Sequence, residues 1–176
     1  ADLMTIREKF GSFSGLKMCF IGDGNNMANS LIVGGLKVGM NVAVATPDGY
    51  KPDGAVLEFT KGYGDKFALE TDPFMAASGA DILITDTWTS MGEEAEKEER
   101  KKIFKDYQIN RQLLAAANAG AMVQHCLPAY RGQEITEEVF EEHADEIFNE
   151  AENRLHAQKA VMVKLMKNVN SAFEFH

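Results

Sequence analysis

The sequence predicts an α/β protein built on a doubly wound, five-stranded parallel sheet with helices on both faces. Two observations carry that expectation. Five short apolar runs recur along the 176 residues, and segments of helical periodicity separate each run from the next. Strands joined through helices pair in parallel with right-handed crossovers, which gives a Rossmann-like layering.

The elements follow in order. Leu3, Ile6 and Phe10 share one face of an opening helix, and residues 11–15 (GSFSG) read as a loop. Residues 17–22 (KMCFIG) make a first buried strand. A helix over 25–36 follows, with Met27, Leu31 and Leu36 as inward candidates. The second strand, 40–45, stops at Thr46-Pro47-Asp48-Gly49, where proline presets φ and glycine supplies a positive one. Next come a helix over 53–61, a weaker third strand over 67–71, and a short helix opened by Asp72-Pro73 and running to Ser78. Residues 81–85 (DILIT) form the fourth strand. Residues 93–105 read as a solvated helix, acidic early and basic late, the order that the helix dipole favours. A helix over 110–117 leads to the fifth strand, 121–126 (AMVQHC), closed by Leu127-Pro128. Two helices finish the chain, the last over about 151–167.

Composition narrows the function. The net charge is −9 and no cluster of Lys and Arg stands against it, so nucleic acid is not an expected partner. No apolar run approaches the roughly 20 residues that a membrane span needs, and no basic segment followed by an apolar one marks a secretory signal. Cys19 and Cys126 are too few for a disulfide framework. Their apolar, strand-like contexts fit reduced thiols and a cytoplasmic location. The chain opens Ala1-Asp2-Leu3, without an initiator Met and already inside a helical pattern, which implies a segment upstream.

In this topology strands 1, 4 and 5 lie side by side, with 2 and 3 beyond strand 1. Ligands bind past the carboxyl ends, near the switch between strands 1 and 4. Chemistry is therefore expected from residues 23–30, 86–92 and 125–131.

The first loop, Gly22-Asp23-Gly24-Asn25-Asn26-Met27, lacks the third glycine of a dinucleotide fingerprint, because Met27 replaces it. Asn25 suits a helix cap, whereas Asn26 offers a second amide to a polar small molecule. In the second loop Asp86 ends an apolar strand, where a carboxylate could hold an ammonium group or simply close a turn. Trp88 reads as a core anchor, and Ser90-Met91-Gly92 as a bendable segment able to fold over a ligand. The third loop is His125-Cys126-Leu127-Pro128-Ala129. A cysteine there could be nucleophilic, metal-binding or an inert small hydrophobe. Adjacent strand residues point to opposite faces, so His125 is not placed as a base for Cys126. No second pair of Cys or His has zinc-ligand spacing, and neither a metal nor a cofactor is expected.

Together these blocks resemble the ornithine carbamoyltransferases. The Asp-x-Trp-x-Ser-Met-Gly segment at 86–92 is similar to the family's ornithine-binding loop, and HCLPA at 125–129 to its signature around the reactive cysteine. The turn GDGNNM at 22–27 and the helical segment ENRLHAQKA at 152–160 match as well. The resemblance implies that Asp86 and Cys126 handle the amine end of L-ornithine. It implies that Asn26, Ser90 and Met91 hold its α-amino and carboxylate groups, and that Leu127 offers a backbone carbonyl near the reacting atoms. Arg154 would reach carbamoyl phosphate; without the resemblance, an i,i+4 ion pair with Glu150 is the plainer reading. The role of His125 is left open.

The family's Ser-Thr-Arg-Thr and His-Pro-x-Gln segments occur nowhere in the chain. The resemblance therefore implies an interdomain helix and linker over 1–14, an ornithine-binding domain over 15–176, and a carbamoyl-phosphate domain that is absent. The intact enzyme would be a cytoplasmic homotrimer, and this piece alone would be inactive. The other reading is a non-catalytic amino-acid-binding module.

Overall fold

The computed structural model describes residues 1–89 and 96–171, the last four of these for backbone only. Five strands, β1 (Lys17–Ile21), β2 (Asn41–Ala45), β3 (Phe67–Glu70), β4 (Ile82–Thr85) and β5 (Met122–His125), form one sheet in the order β3-β2-β1-β4-β5. Every pairing is parallel. The chain leaves β1 toward β2 and β3 on one side, then returns to build β4 and β5 on the other. The loops after β1 and β4 diverge, and a crevice opens between them.

Period-two alternation divides the core. Met18 and Phe20 of β1, with Val42, Val44, Ile82, Ile84 and Met122, pack beneath α1 (Asp2–Phe10), α2 (Asn26–Lys37) and α3 (Gly54–Thr60). Cys19 and Ile21, with Ala43, Ala45, Leu83 and Val123, face α4 (Pro73–Ala77), α5 (Lys97–Phe104), α6 (Arg111–Ala116) and α7 (Glu137–Glu142). Strands buried on both faces need continuous apolar runs, which is how β1 and β4 read. Burying one such side chain contributes roughly 1.5–3 kcal/mol. Side-chain caps start the helices: Asn25, Asp53, Asp72, Asn110 and Thr136 each accept from a first-turn N–H. Each is worth about 1 kcal/mol.

Three expectations need correction. The last helix, α8 (Ala144–Ser171), starts at Ala144 and not near 151. Only His143 separates it from α7, and its first turn carries Asp145 and Glu146, which suit the positive end of the helix dipole. The described part of the charged helix is not wholly solvated, since Arg100 and Phe104 are buried. A short 3-10 segment over 61–66 continues α3, where only a helix end was expected.

Helix α8 packs on the edge strand β5 and on α1. Asn153 of α8 donates from Nδ2 to Thr5 Oγ1 at 3.0 Å and to Glu8 Oε2 at 2.6 Å. Lys9 and Glu146 form an ion pair between the same two helices. Past Asn153 the apolar side chains Leu155, Val161, Met162, Val163, Leu165 and Met166 are exposed. Among the described residues no helix is long and apolar enough to cross a membrane.

Candidate active site

Two close approaches bring the loops together. Gly24 donates to the Tyr50 carbonyl at 2.9 Å, and a Cβ on Gly24 would lie 2.4 Å from backbone atoms of Tyr50, Lys51 and Pro52. Only glycine fits there, which accounts for the second glycine of the loop without any nucleotide. At the end of β4, Thr85 donates to the Ile21 carbonyl at 2.7 Å, fastening the two switch-point strands at their carboxyl ends.

Asn25 accepts from Met27 N–H at 2.9 Å and Ala28 N–H at 3.4 Å, the capping role expected of it. Its neighbour Asn26 is left exposed and lines a cavity of about 520 Å³. Asp86, Cys126, Leu127 and Arg154 line the same cavity, with Asp2, Thr87 and Glu150 beside them. Five of the seven site residues read from the sequence thus share one pocket at the carboxyl end of the sheet. The other two, Ser90 and Met91, lie outside the described residues. Trp88 is buried in the core as anticipated.

The central contact is between Cys126 and Asp86. The thiol donates to Asp86 Oδ1 at 2.9 Å, and the same oxygen accepts from Thr87 N–H at 2.7 Å. Burial pushes the Cys126 thiol well above its ordinary range, and the adjacent Asp86 carboxylate adds to the effect. Cys126 is therefore a thiol at neutral pH and not a thiolate nucleophile. Both cysteines are free. Leu127 follows at φ 53°, a left-handed conformation that costs a leucine roughly 1–2 kcal/mol, with a cis peptide to Pro128.

Three acidic side chains and one guanidinium face this pocket. Sequence reasoning found Asp86 and Arg154 but missed Asp2 and Glu150. Glu150 is only 4% exposed, and burial, followed by the nearby Asp2 carboxyl, holds its carboxyl far above the usual carboxylate range. The i,i+4 pair weighed for Arg154 and Glu150 is not among the ion pairs of the described residues, and Arg154 is exposed. Arg100 was also missed. It pairs with Asp23 of the first loop, donates to the Trp88 carbonyl of the second, and lies over the rings of Tyr50 and Phe104. The signal was present, because Phe104 and Tyr107 continue the face of Arg100 at helical spacing. Among the described residues no group of three or more His, Cys, Asp or Glu is arranged to hold a metal ion.

Comparison with known proteins decides the family. The family model for the aspartate/ornithine carbamoyltransferase Asp/Orn binding domain matches residues 14–165. The chain belongs to that family. It is 56% identical over 170 residues to the ornithine carbamoyltransferase of Gloeobacter violaceus, covering 94% of this chain and 54% of that protein. Among solved structures it is similar to the anabolic ornithine carbamoyltransferase of Campylobacter jejuni, with TM-score 0.87, 41% identity, and coverage of 95% of this chain and 57% of the other. The Pyrococcus furiosus ornithine carbamoyltransferase gives TM-score 0.83 at 47% identity, covering 92% and 53%. The chain therefore spans about half the length of the curated carbamoyltransferases it matches.

Proposed function

We propose that this chain is the L-ornithine-binding part of an ornithine carbamoyltransferase, which converts carbamoyl phosphate and ornithine to citrulline and phosphate. The observation that carries the reading is the Cys126 thiol on Asp86 Oδ1, set in an acidic pocket that Asn26 and Arg154 also line. A pocket lined by carboxyl groups suits a cationic amine.

The side-chain amine of ornithine has a pKa of roughly 10 and enters as ammonium, which has no lone pair. Asp86 accepts a hydrogen bond from it, and Cys126 fixes the orientation of Asp86. Loss of one proton to solvent leaves the lone pair aimed at the carbonyl carbon of carbamoyl phosphate. The C–N bond forms, the tetrahedral carbon collapses, and phosphate departs with the C–O bonding pair and takes up the second proton of the attacking nitrogen. The Leu127 carbonyl accepts from the carbamoyl amide. Arg154 supports the phosphate or carbonyl oxygens with its planar fork. Asn26, Ser90 and Met91 hold the α-amino and carboxylate groups.

Residues 1–14 would then be the interdomain helix and linker, residues 15–176 the ornithine domain, and the other half of the enzyme would hold most of the phosphate-binding charge. The exposed apolar side chains on the last part of α8 support this division, since the remaining half would cover them. A cytoplasmic homotrimer acting in arginine biosynthesis or the urea cycle fits the same reading.

The test is citrulline formation by the full-length protein and by the 176-residue chain. The full-length protein should turn over with both substrates, and the chain alone should not. A full-length protein that binds ornithine in a calorimeter without forming citrulline would instead be an amino-acid-binding module.

A further inference from the structure

His125 is wholly buried and does not line the pocket, yet both residues that follow it do. Its ring makes two hydrogen bonds. Nδ1 accepts from the Leu127 N–H at 2.9 Å, and Nε2 lies 3.0 Å from Glu134 Oε1. A ring nitrogen that accepts from an amide carries no proton, so Nε2 carries it and donates to Glu134. The hydrogen bonds thus assign a neutral imidazole with one tautomer. Glu134 is itself fully buried, and its Oε1 also accepts from the Tyr130 N–H at 2.5 Å. One imidazole and one carboxylate oxygen therefore hold both ends of the segment from Leu127 to Tyr130.

That segment needs holding. Leu127 sits in a conformation that leucine avoids, and a strained backbone persists only where its surroundings determine it. Released from Nδ1, the Leu127 amide would turn toward an ordinary φ. Its carbonyl would swing with it, and so would the Cys126 side chain that meets Asp86.

We propose that His125, held in its Nε2–H tautomer by Glu134, is a positioning residue that sets the Leu127 backbone and the Cys126 thiol for the transfer of the carbamoyl group to ornithine. It touches no substrate and exchanges no proton in the reaction. The proposal rests on the function proposed above, and its test separates the two.

The test uses three variants of the full-length protein. His125→Leu removes both hydrogen bonds. His125→Asn keeps an acceptor near the place of Nδ1 and loses the reach to Glu134. Glu134→Gln keeps an acceptor oxygen for both partners. A misplacement of about 1 Å costs on the order of 10²-fold in rate, so kcat/KM for ornithine should fall by about that much in His125→Leu. Carbamoyl phosphate binding should weaken as well, because the Leu127 carbonyl moves, but by less than the fall in ornithine kcat/KM. His125→Asn should recover at least about tenfold of the loss, and Glu134→Gln should be the mildest of the three. A His125→Leu protein that keeps its ornithine kcat/KM within about threefold overturns the proposal, as does a His125→Asn protein no better than His125→Leu. Should His125→Leu not fold, the histidine ring nitrogens of the ¹⁵N-labelled wild type decide at pH 7.5. The Nε2–H tautomer is expected, and an imidazolium or Nδ1–H form refutes it. If the wild type makes no citrulline, the proposed function fails, and the tautomer measurement still decides whether His125 holds the loop.

Discussion

The Sγ of Cys126 donates to Oδ1 of Asp86 across 2.9 Å, joining the ends of two adjacent strands, β4 and β5, at the mouth of one pocket. Each group alters the other. The carboxylate adds to burial in keeping the sulfur protonated, and the thiol takes up one hydrogen-bonding position on the carboxylate oxygen.

Removing the charge should therefore release the thiol. In Asp86→Asn the Asp86 contribution to the raised Cys126 pKa disappears, while those of burial, Glu150 and Asp2 stay. Because the thiolate is the reactive form, the rate of iodoacetamide alkylation at pH 9 should rise by roughly 3–10-fold. Cys19 is buried throughout, with its pKa pushed up to about 12, and serves as the unreactive control. An unchanged or slower alkylation of Cys126 would show that burial alone sets its reactivity.

Cys126→Ala in the full-length protein should weaken ornithine use more than carbamoyl phosphate binding. We expect kcat/KM for ornithine to fall by about 10-fold or more, the loss of roughly one charge-assisted hydrogen bond. Cys126→Ser, which keeps a donor to Asp86, should lie between. Steady-state kinetics with each substrate varied in turn gives the answer, and an unchanged ornithine KM and kcat would remove Cys126 from the site.

Gly24→Ala should destabilise the fold by about 2 kcal/mol or more, because the added methyl meets backbone that cannot rotate away. For a chain of this size that corresponds to a fall in Tm of several degrees, about 4–8 °C. Thermal unfolding followed by circular dichroism measures it. Gly49, with φ 90° and open space around it, makes a useful contrast, since Gly49→Ala carries a backbone penalty without the collision.

Two glutamates on α8 should respond to pH in opposite directions. For Glu146, burial acts upward but is outweighed by hydrogen bonds from His143, Lys9 and the Val123 N–H, which bring its pKa down to about 2. Its contribution is present above the unfolded value of about 4.5 and is lost as pH falls from there toward 2. With a partly exposed carboxylate, about 1–2 kcal/mol is expected after solvent screening. Denaturant unfolding should show Glu146→Gln less stable than wild type at pH 6, with the gap closing by pH 2–3. The Glu150 pKa is raised, so the folded state holds a proton that the unfolded chain has released. Its cost grows as pH rises through the window above 4.5, and Glu150→Gln should be the more stable protein at pH 8 but not at pH 4. A Glu150→Gln protein less stable than wild type at pH 8 would reverse the sign.

Much of this site could be read from the residues because parallel strands concentrate chemistry at one end. Apolar runs at 17–22, 40–45, 67–71, 81–85 and 121–126 placed all five strands to within a residue or two, and topology then selected the loops. The misses have physical causes. Glu150 and Asp2 look like solvated helix residues, and only the packing of α1 on α8 turns them inward. Arg100 sits among Lys and Glu, and its burial depends on Tyr50, which lies 50 residues away in sequence. His125 was left without a role because its partner Glu134 arrives through a loop rather than through periodicity.

The ties from Asn153 to Thr5 and Glu8, with the ion pair of Lys9 and Glu146, make α1 and α8 a single two-bar frame. Asp2 rides on one bar, and Glu150 and Arg154 ride on the other. The ties thus fix the spacing of one carboxyl group against a second carboxyl group and a cation, and the charge pattern along that wall of the pocket is set by helix packing and not by any loop.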